Sequence, residues 1–257
     1  MERHTAKILG FNVDLFSHKE AILYIEKMLA NNIGAHVVTI NPEMIEAAQK
    51  NQNYSSLIKN ADLLIPDGVG IKLALKIYGI KQEQIPGVEF AKEIVEICEK
   101  NNYPIALIGA KEEVITNTVE KLLEEYPNLK ITFKRNGYFT ETDEEEIIKN
   151  IKKSGAKLVL VGLGAPKQDY FINKCKNIVN NAIYIGVGGS FDVWSGLVKR
   201  APEFYRKIGC EWLYRTIKEP YRFKRIFPTL PLFLFKVIIE NVKNRLNNGQ
   251  NTHSGRN

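Results

Sequence analysis

The chain has 257 residues, of which 44% are hydrophobic, and it carries 36 basic against 29 acidic side chains, a formal net charge of +7. This length and apolar content support a large buried core and exclude a mostly disordered or low-complexity protein. Cys98, Cys175 and Cys210 are far apart and without metal-ligand spacing, which excludes a disulfide scaffold and is typical of a reduced cytosolic protein. The N-terminus has no apolar stretch that would predict a signal peptide.

Short apolar runs rich in β-branched residues alternate with longer amphipathic stretches. The runs, which we predict to be strands, are Ile8–Leu9, His36–Ile40, Asp62–Ile65, Ile105–Ile108, Ile131–Phe133, Lys157–Val161 and Ala182–Val187. Strands without polar alternation are buried on both faces, as in a parallel sheet covered by helices. The sequence therefore predicts an α/β fold, a Rossmann-like, mostly parallel sheet with helices on both faces.

Capping residues predict where three of the intervening helices begin. Ser17 with Glu20 has the spacing of a capping box, and so has Thr142 with Glu145. Asn41 precedes a proline, which is typical of an N-cap followed by proline in the first helical position. We expect helices to start at these three places.

The basic charge is concentrated in the last fifth of the chain. Residues 1–198 carry 23 basic and 25 acidic side chains, whereas residues 199–245 carry 12 basic and four acidic ones. We expect a catalytic α/β domain over 1–198, a basic helical C-terminal appendage over 199–247 and a disordered tail over 248–257. The charge of the appendage suits an anionic partner: phosphates, nucleic acid or a membrane surface.

The appendage contains an amphipathic segment, LFLFKVIIENVKNRL, that follows two prolines. Pro228 and Pro231 predict a break in the helix before this segment. The segment is too short and too charged to span a bilayer, which requires about 20 apolar residues. Its apolar face can lie on a membrane or pack on the protein's own core, and the pattern alone does not decide between them.

Polar and glycine residues follow several of the predicted strands, where ligands bind in open parallel sheets. Asp67 follows the third strand and can either cap the next helix or act as a base. The glycine-rich turns lack the G-x-G-x-x-G and Walker A patterns, so they indicate a nucleotide phosphate site rather than a dinucleotide or P-loop site. The residues in this set are Thr39, Asn41, Asp67, Gly68, Gly109, Gly164, Gln168, Gly188 and Gly189.

Arginines of the appendage are the candidates for holding a diphosphate. The chain has no Asp-x-Asp after a strand and no cluster of histidines, so a metal-bound diphosphate is not indicated and we expect no metal site. The negative charge of a diphosphate would then be neutralised by Arg215, Arg222 and Arg225, which are interleaved with aromatic residues. A guanidinium binds phosphate oxygens in a bidentate way, whereas a solvated basic face is the alternative.

Six motifs occur in the same order as in a known family of enzymes: TINPEMI, LLIPDGVG, VGLGAPKQDYF, GVGGSFDVWSG, KRAPEF and GCEWLYRTIKEPYRFKR. Over about residues 5–245 the chain resembles the WecG/TagA/CpsF glycosyltransferases, although the family usually has Glu at the position of Asp169. The resemblance implies transfer of N-acetylmannosamine from UDP-N-acetylmannosamine to the C4 hydroxyl of GlcNAc on undecaprenyl diphosphate, a step of wall teichoic acid synthesis. It implies inversion, with neither metal nor cofactor.

The resemblance also implies roles for individual residues. Asp67 would be the general base, Thr39 and Asn41 would lie in the sugar pocket and Gln168 in the substrate site. The appendage would close over the site, with Arg215, Arg222 and Arg225 on diphosphate. The lipid acceptor implies a cytoplasmic enzyme peripherally bound to the inner face of the cell membrane, at an anionic surface, with no nucleic acid partner. A homo-oligomer in solution is also compatible with the apolar residues of the appendage.

Three other functions remain open at this point. A transferase of the same family could use another donor, for example UDP-linked N-acetylmannosaminuronic acid or glucose. Glycine turns after strands also occur in Rossmann-type oxidoreductases, although the glycine fingerprint of the first strand is missing. A binding module for nucleic acid or membrane would explain the basic appendage but not the polar residues at the strand ends.

Overall fold

The computed structural model describes residues 3–198, 201–202 and 223–253, with side chains over 228–247 in the last range. In chain order the elements are β1 (Thr5–Ile8), β2 (Phe11–Asp14), α1 (His18–Ala30), β3 (Ala35–Ile40), α2 (Pro42–Lys50), α3 (Gln52–Lys59), β4 (Leu63–Pro66), α4 (Gly68–Ile77), α5 (Gly87–Lys100), β5 (Ile105–Gly109), α6 (Glu112–Glu125), β6 (Ile131–Arg135), α7 (Glu141–Ser154), β7 (Leu158–Gly162), α8 (Lys167–Ile178), β8 (Ile183–Gly186), α9 (Ser190–Trp194) and α10 (Phe223–His253).

A six-stranded sheet forms the centre of the fold, in the order β4-β3-β8-β7-β5-β6, and every pair of neighbours is parallel. Alternate residues of the strands other than the edge strand β6 enter cores on the two faces of the sheet. Leu107, Leu160 and Ile185 pack under α1, α5, α6 and α9, whereas Ala106 and Val159 pack under α7 and α8 on the other face. The α2, α3 and α4 helices cover the remaining part of that second face. The predicted parallel α/β fold is confirmed.

The first predicted strand does not join this sheet. β1 and β2 form a separate antiparallel hairpin, and Leu9, predicted to be in a strand, lies in its turn with a φ of 47°. The fully buried Asp14 ties the hairpin to the edge strand β4, because its carboxylate accepts the Leu64 N–H at 2.7 Å and pairs with Arg3. The hairpin strands alternate exposed and buried residues, so a place in the sheet that buries both faces would not suit them.

The helix starts agree with two of the three predictions. Ser17 and Glu20 form the expected capping box, and Asn41 caps α2, its side-chain oxygen accepting the Met44 N–H at 3.0 Å. The box predicted at Thr142 is wrong, because α7 begins two residues earlier with Thr140 and Asp143 as the box. Both pairs have the same spacing, and only the conformation of the preceding turn selects between them.

The break predicted at the two prolines of the appendage is wrong as well, since α10 continues through Pro228 and Pro231. Each proline removes one backbone hydrogen bond, but tertiary contacts hold the helix on both sides of Pro231. Leu230 approaches α4 and Phe233 is completely buried. The helix also extends to His253, into the segment that we expected to be a disordered tail.

Candidate active site

The parallel sheet brings the predicted strand-end residues to one edge of the molecule. β4, β3, β8, β7 and β5 are consecutive neighbours, and their carboxyl ends point the same way. Thr39 lies one residue before the end of β3, Asp67 follows β4 and Gly109 ends β5. Gly164 and Gln168 follow β7, and Gly188 and Gly189 follow β8. The elements thus place residues that are distant in sequence along a single edge.

Asp67 occupies the N-cap position of α4 without acting as its cap. Its backbone is extended, its N–H donates to the carbonyl of Ile40 at 2.9 Å, and its side chain makes no capping hydrogen bond. The next residue, Gly68, has a φ of +81°, and a Cβ there would meet no atom within 4 Å. Asp67 is half-buried, and the alternative of a helix cap is not what its hydrogen bonding shows.

Thr39 and Asn41 flank Ile40, the last residue of β3, whose carbonyl accepts the Asp67 N–H. The Thr39 side chain lies against Gly87 at the start of α5, where a Cβ would come within 3.0 Å of its hydroxyl oxygen. The carbonyl oxygen of the Asn41 side chain already accepts the Met44 N–H. Asn41 therefore has a structural role in capping α2, and its amide nitrogen is the group that could bind a sugar hydroxyl.

Gln168 connects two of the strand-end turns. Its side chain is 5% exposed, and its Oε1 accepts the N–H of Gly188 at 3.1 Å. A Cβ on Gly186 would lie 2.4 Å from its Nε2, so the amide is packed directly against the end of β8. The structure therefore shows Gln168 joining the β7–α8 turn to the β8–α9 turn.

Gly109 is needed where two strands end side by side. Its φ is +133°, and a Cβ would lie 2.4 Å from the carbonyl oxygen of Gly162. No other residue type can take this conformation at this distance. The ends of β5 and β7 are therefore in direct backbone contact at this point.

A cleft of about 440 Å³ lies beyond the ends of β5, β6 and β7. Its walls carry two amino groups, those of Lys111 and Lys167, the ring of Tyr138 and the carboxylate of Asp192. Tyr138 is 69% exposed, and the Lys167 ammonium lies 5.3 Å from the centre of the Phe139 ring. Cations, an aromatic ring and a carboxylate are the groups that can bind phosphates, a base and sugar hydroxyls.

This cleft was not predicted from the sequence. Lys167 lies within the motif GAPKQD and Lys111 follows Gly109 by two residues, so position after a strand was the available signal. Tyr138 follows β6, and no site residue was predicted after this strand.

The last helix packs on the body beside Asp67. Pro42 of α2 and Leu230 of α10 both crowd Gly70 in the first turn of α4, where a Cβ would lie 2.4 Å and 2.8 Å from their side chains. Further along α10, the Glu240 carboxylate accepts the Leu9 N–H at 2.9 Å and the Tyr78 hydroxyl. Burial, with the hydrogen bond to Glu240 next in importance, raises the pKa of Tyr78.

Lys236 completes the attachment of α10. Its ammonium contacts the carboxylate of Glu46 and the amide oxygen of Gln49, both at 2.7 Å, and Glu46 is itself buried. One face of α10 is thus fixed to α2 and α4. The three arginines predicted to bind diphosphate are not described: Arg215 and Arg222 lie outside the described residues, and so does the side chain of Arg225.

The opposite face of α10 is apolar and exposed. Its six large side chains are each at least 38% exposed: Leu232, Phe235, Ile238, Ile239, Val242 and Leu246. Within the part of the chain that the structure describes, no helix is both long enough and apolar enough to cross a bilayer. Over the same residues, no three His, Cys, Asp or Glu side chains are grouped as they would be around a metal ion.

Comparison with known proteins identifies the family. The profile described as the glycosyl transferase WecG/TagA/CpsF family matches residues 6–247. The chain belongs to this family. The resemblance in the six motifs is therefore confirmed, and so is the predicted class, a glycosyltransferase of α/β fold.

Relatives within the WecG/TagA/CpsF family have a specific activity in their names. A protein of Bacillus subtilis (strain 168), named N-acetylglucosaminyldiphosphoundecaprenol N-acetyl-beta-D-mannosaminyltransferase, is 37% identical over 219 residues, which cover 84% of each chain. Proteins with the same name from Bacillus spizizenii and Staphylococcus aureus (strain MW2) are 34% and 32% identical, covering 82% and 91% of this chain and 81% and 93% of theirs.

Proposed function

We propose that the protein transfers N-acetylmannosamine from UDP-N-acetylmannosamine to the C4 hydroxyl of GlcNAc-diphospho-undecaprenol. The observation that carries the proposal is that relatives matched over at least four fifths of both chains share a name for this reaction. The geometry supports it, because a half-buried carboxylate at the edge of the sheet is not used as a helix cap. The product would be the lipid-linked disaccharide from which wall teichoic acid is built.

Asp67 is the general base in this proposal. Its carboxylate takes the proton of the acceptor C4 hydroxyl while that oxygen attacks the anomeric carbon of N-acetylmannosamine, and the bond to UDP breaks on the opposite face. The anomeric configuration inverts, and one carboxylate is sufficient for a single displacement. Thr39, near the end of the adjacent strand, and the amide nitrogen of Asn41 would hold sugar hydroxyls.

The cleft beyond β5–β7 suits the nucleotide half of the donor. Tyr138 offers a ring for the base, Lys111 and Lys167 offer positive charge to the diphosphate, and Asp192 offers a carboxylate. β4 and β7 are separated by β3 and β8, a distance of about 14 Å at the usual strand spacing. An extended nucleotide sugar lying along this edge would place its sugar near Asp67.

Fixed positive charge stabilises the leaving UDP in this mechanism. The lysines of the cleft and the arginines of the appendage, Arg215, Arg222 and Arg225, supply it without a metal ion. Glycines at 68, 109, 164, 188 and 189 would let substrate approach the backbone closely. The substrate-binding roles of these residues and of Gln168 belong to the same proposal.

A donor panel tests the reaction. Purified full-length protein is given a GlcNAc-diphosphate lipid with UDP-N-acetylmannosamine, UDP-N-acetylmannosaminuronic acid or UDP-glucose, each with and without EDTA. We expect transfer from UDP-N-acetylmannosamine, unchanged by EDTA, and inversion at the anomeric carbon in the product by NMR. Faster transfer from either other donor would replace the proposed substrate, and loss of activity with EDTA would contradict the metal-free mechanism.

The exposed face of α10 would lie on the anionic inner surface of the cell membrane, where the lipid acceptor is located. Apolar side chains such as Phe235 and Ile238 are exposed on the same helix as Lys243 and Arg245, which favours binding to anionic lipid. Sedimentation with vesicles containing phosphatidylglycerol tests this. The F235S/I238S variant should lose binding, whereas Ile33→Ser, which changes an apolar side chain exposed elsewhere, should not.

Unchanged sedimentation of F235S/I238S would contradict the membrane proposal. A second outcome is an oligomer in solution that dissociates in the same variant, as measured by light scattering after gel filtration. That result would assign the apolar face of α10 to a contact between copies of the chain instead of to lipid.

A further inference from the structure

A buried cluster of polar side chains lies directly behind the strand-end edge and joins three elements. His36 comes from β3, Tyr54 from α3 and Asp169 from α8, and their exposed fractions are 3%, 1% and 0%. The proposed reaction uses none of these side chains, although burying a carboxylate, an imidazole and a phenol has a considerable desolvation cost.

The contacts within the cluster centre on Asp169. The Tyr54 hydroxyl donates to one carboxylate oxygen at 2.8 Å, and the other oxygen lies 3.5 Å from Nε2 of His36. Among the described residues, neither that second oxygen nor Nε2 has a hydrogen-bond partner. Burial, reinforced by the neighbouring carboxylate, raises the pKa of Tyr54, so its hydroxyl stays a donor. Asp169 is therefore held by α3 on one oxygen and faces β3 with the other.

The first turn of α8 links this cluster to the candidate active site. Asp169 follows Gln168 directly, and the two side chains point in different directions: Asp169 towards α3 and β3, Gln168 towards Gly188. Backbone hydrogen bonds from Gln168 to Gly164 at 2.9 Å and from Asp169 to Pro166 at 3.1 Å make the turn one unit. A shift of Asp169 would consequently move Gln168.

We propose that Asp169 is a positioning residue for the transfer reaction: its contacts with Tyr54 and His36 hold the first turn of α8 so that Gln168 stays hydrogen-bonded to Gly188. The same contacts tie α8 to β3, the strand that contains Thr39. As far as it concerns turnover, the inference rests on the proposed function. The bond between Gln168 and Gly188 can be followed without any substrate.

Two variants and a matched control test the positioning role. Asp169→Ala removes both contacts, and Tyr54→Phe removes only the hydroxyl. The control Lys174→Met, on the same helix as Asp169, changes an exposed lysine that pairs with Glu144 of α7. Amide hydrogen exchange is measured at Gly188 and, as a reference, in β5. We expect exchange at Gly188 to accelerate about tenfold in Asp169→Ala and several-fold in Tyr54→Phe, the size expected for losing a buried hydrogen bond.

Kinetics give the second measurement. We expect kcat/KM for transfer to fall about tenfold in Asp169→Ala, because the hydrogen bond between Gln168 and Gly188 would be formed less of the time. In a Gln168→Ala background the same substitution should have almost no further effect, because both changes remove one function. Lys174→Met should behave like the unchanged protein in both measurements.

Unchanged exchange at Gly188 in the variants would overturn the inference, and so would acceleration of equal size in β5, which indicates general destabilisation. Losses in kcat/KM that multiply in the double variant would also overturn it. If Asp169→Ala does not fold, Tyr54→Phe decides by the same criteria. If the unchanged protein transfers no sugar, the proposed function fails, whereas exchange at Gly188 still decides the positioning role.

Discussion

Replacing Asp67 with asparagine should stop catalysis while leaving the fold intact. The Asp67 side chain makes no capping hydrogen bond to α4, and asparagine is as good an N-cap as aspartate. Since the two side chains have nearly the same shape, we expect the free energy of unfolding to change by about 1 kcal/mol or less. Losing the proton acceptor should lower kcat by about 10²–10⁴-fold, which corresponds to about 3–5 kcal/mol in the activation barrier.

Three measurements on Asp67→Asn separate these effects. Transfer to a lipid acceptor gives kcat, urea unfolding gives stability, and calorimetry gives UDP affinity, which should be unchanged because the cleft lies at β5–β7. Glu96→Gln, at an exposed carboxylate paired with Lys100 near the C-terminal end of α5, is the matched control and should keep full activity. Activity of Asp67→Asn above about a tenth of the unchanged protein would refute the assignment of the base.

Three further predictions concern residues that support the fold and hold α10 in place. Gly109→Ala should lower the free energy of unfolding by about 3 kcal/mol or more, because its Cβ would clash with Gly162. Gly155→Ala, whose Cβ meets no atom within 4 Å, should cost about 1 kcal/mol. Equal losses of the two variants in urea unfolding would contradict the clash. Burial raises the pKa of Cys98 to about 12, so at pH 8, far below it, the thiol stays protonated. Mass spectrometry should find Cys98 alkylated by iodoacetamide in urea only. Glu240→Gln should weaken the attachment of α10 by about 1–2 kcal/mol, seen as faster amide exchange in α10 but not in β5.

The fold could be predicted from the sequence because its strands are buried on both faces. Runs such as Ile105–Ile108 contain no polar residue, and no other common architecture accepts several strands of this kind. The starts of α1 and α2 could be predicted as well, because the capping side chain and the N–H group that it bonds are only three residues apart in the chain.

Local signals failed where long-range contacts decide between alternatives. The prolines of α10 predict a break, but burial of Phe233 and Val237 and the ion pair of Lys236 with Glu46 hold the helix together. The hairpin of β1 and β2 depends on Asp14 reaching the N–H of Leu64, fifty residues away in the chain. No window of the sequence contains both members of these contacts.

In the candidate active site as well, some features could be predicted from the sequence and others depend on long-range contacts. The sequence singled out Asp67, Thr39 and Gln168 by their position after strands and by resemblance to the family, but it could not show how these groups are used. Only the tertiary structure shows that Gln168 is bonded to Gly188 and that Asp67 is not a cap. The functional roles of these residues stay predictions.

The sequence by itself determined the class of fold, the family and the concentration of basic charge in residues 199–245, because hydrophobic pattern, motif order and charge are properties of the chain. The tertiary structure alone decided the strand order, the cleft beyond β5–β7 and the attachment of α10 beside Asp67. These features depend on contacts between residues far apart in the chain, whose free energies exist only once the sheet has brought them together.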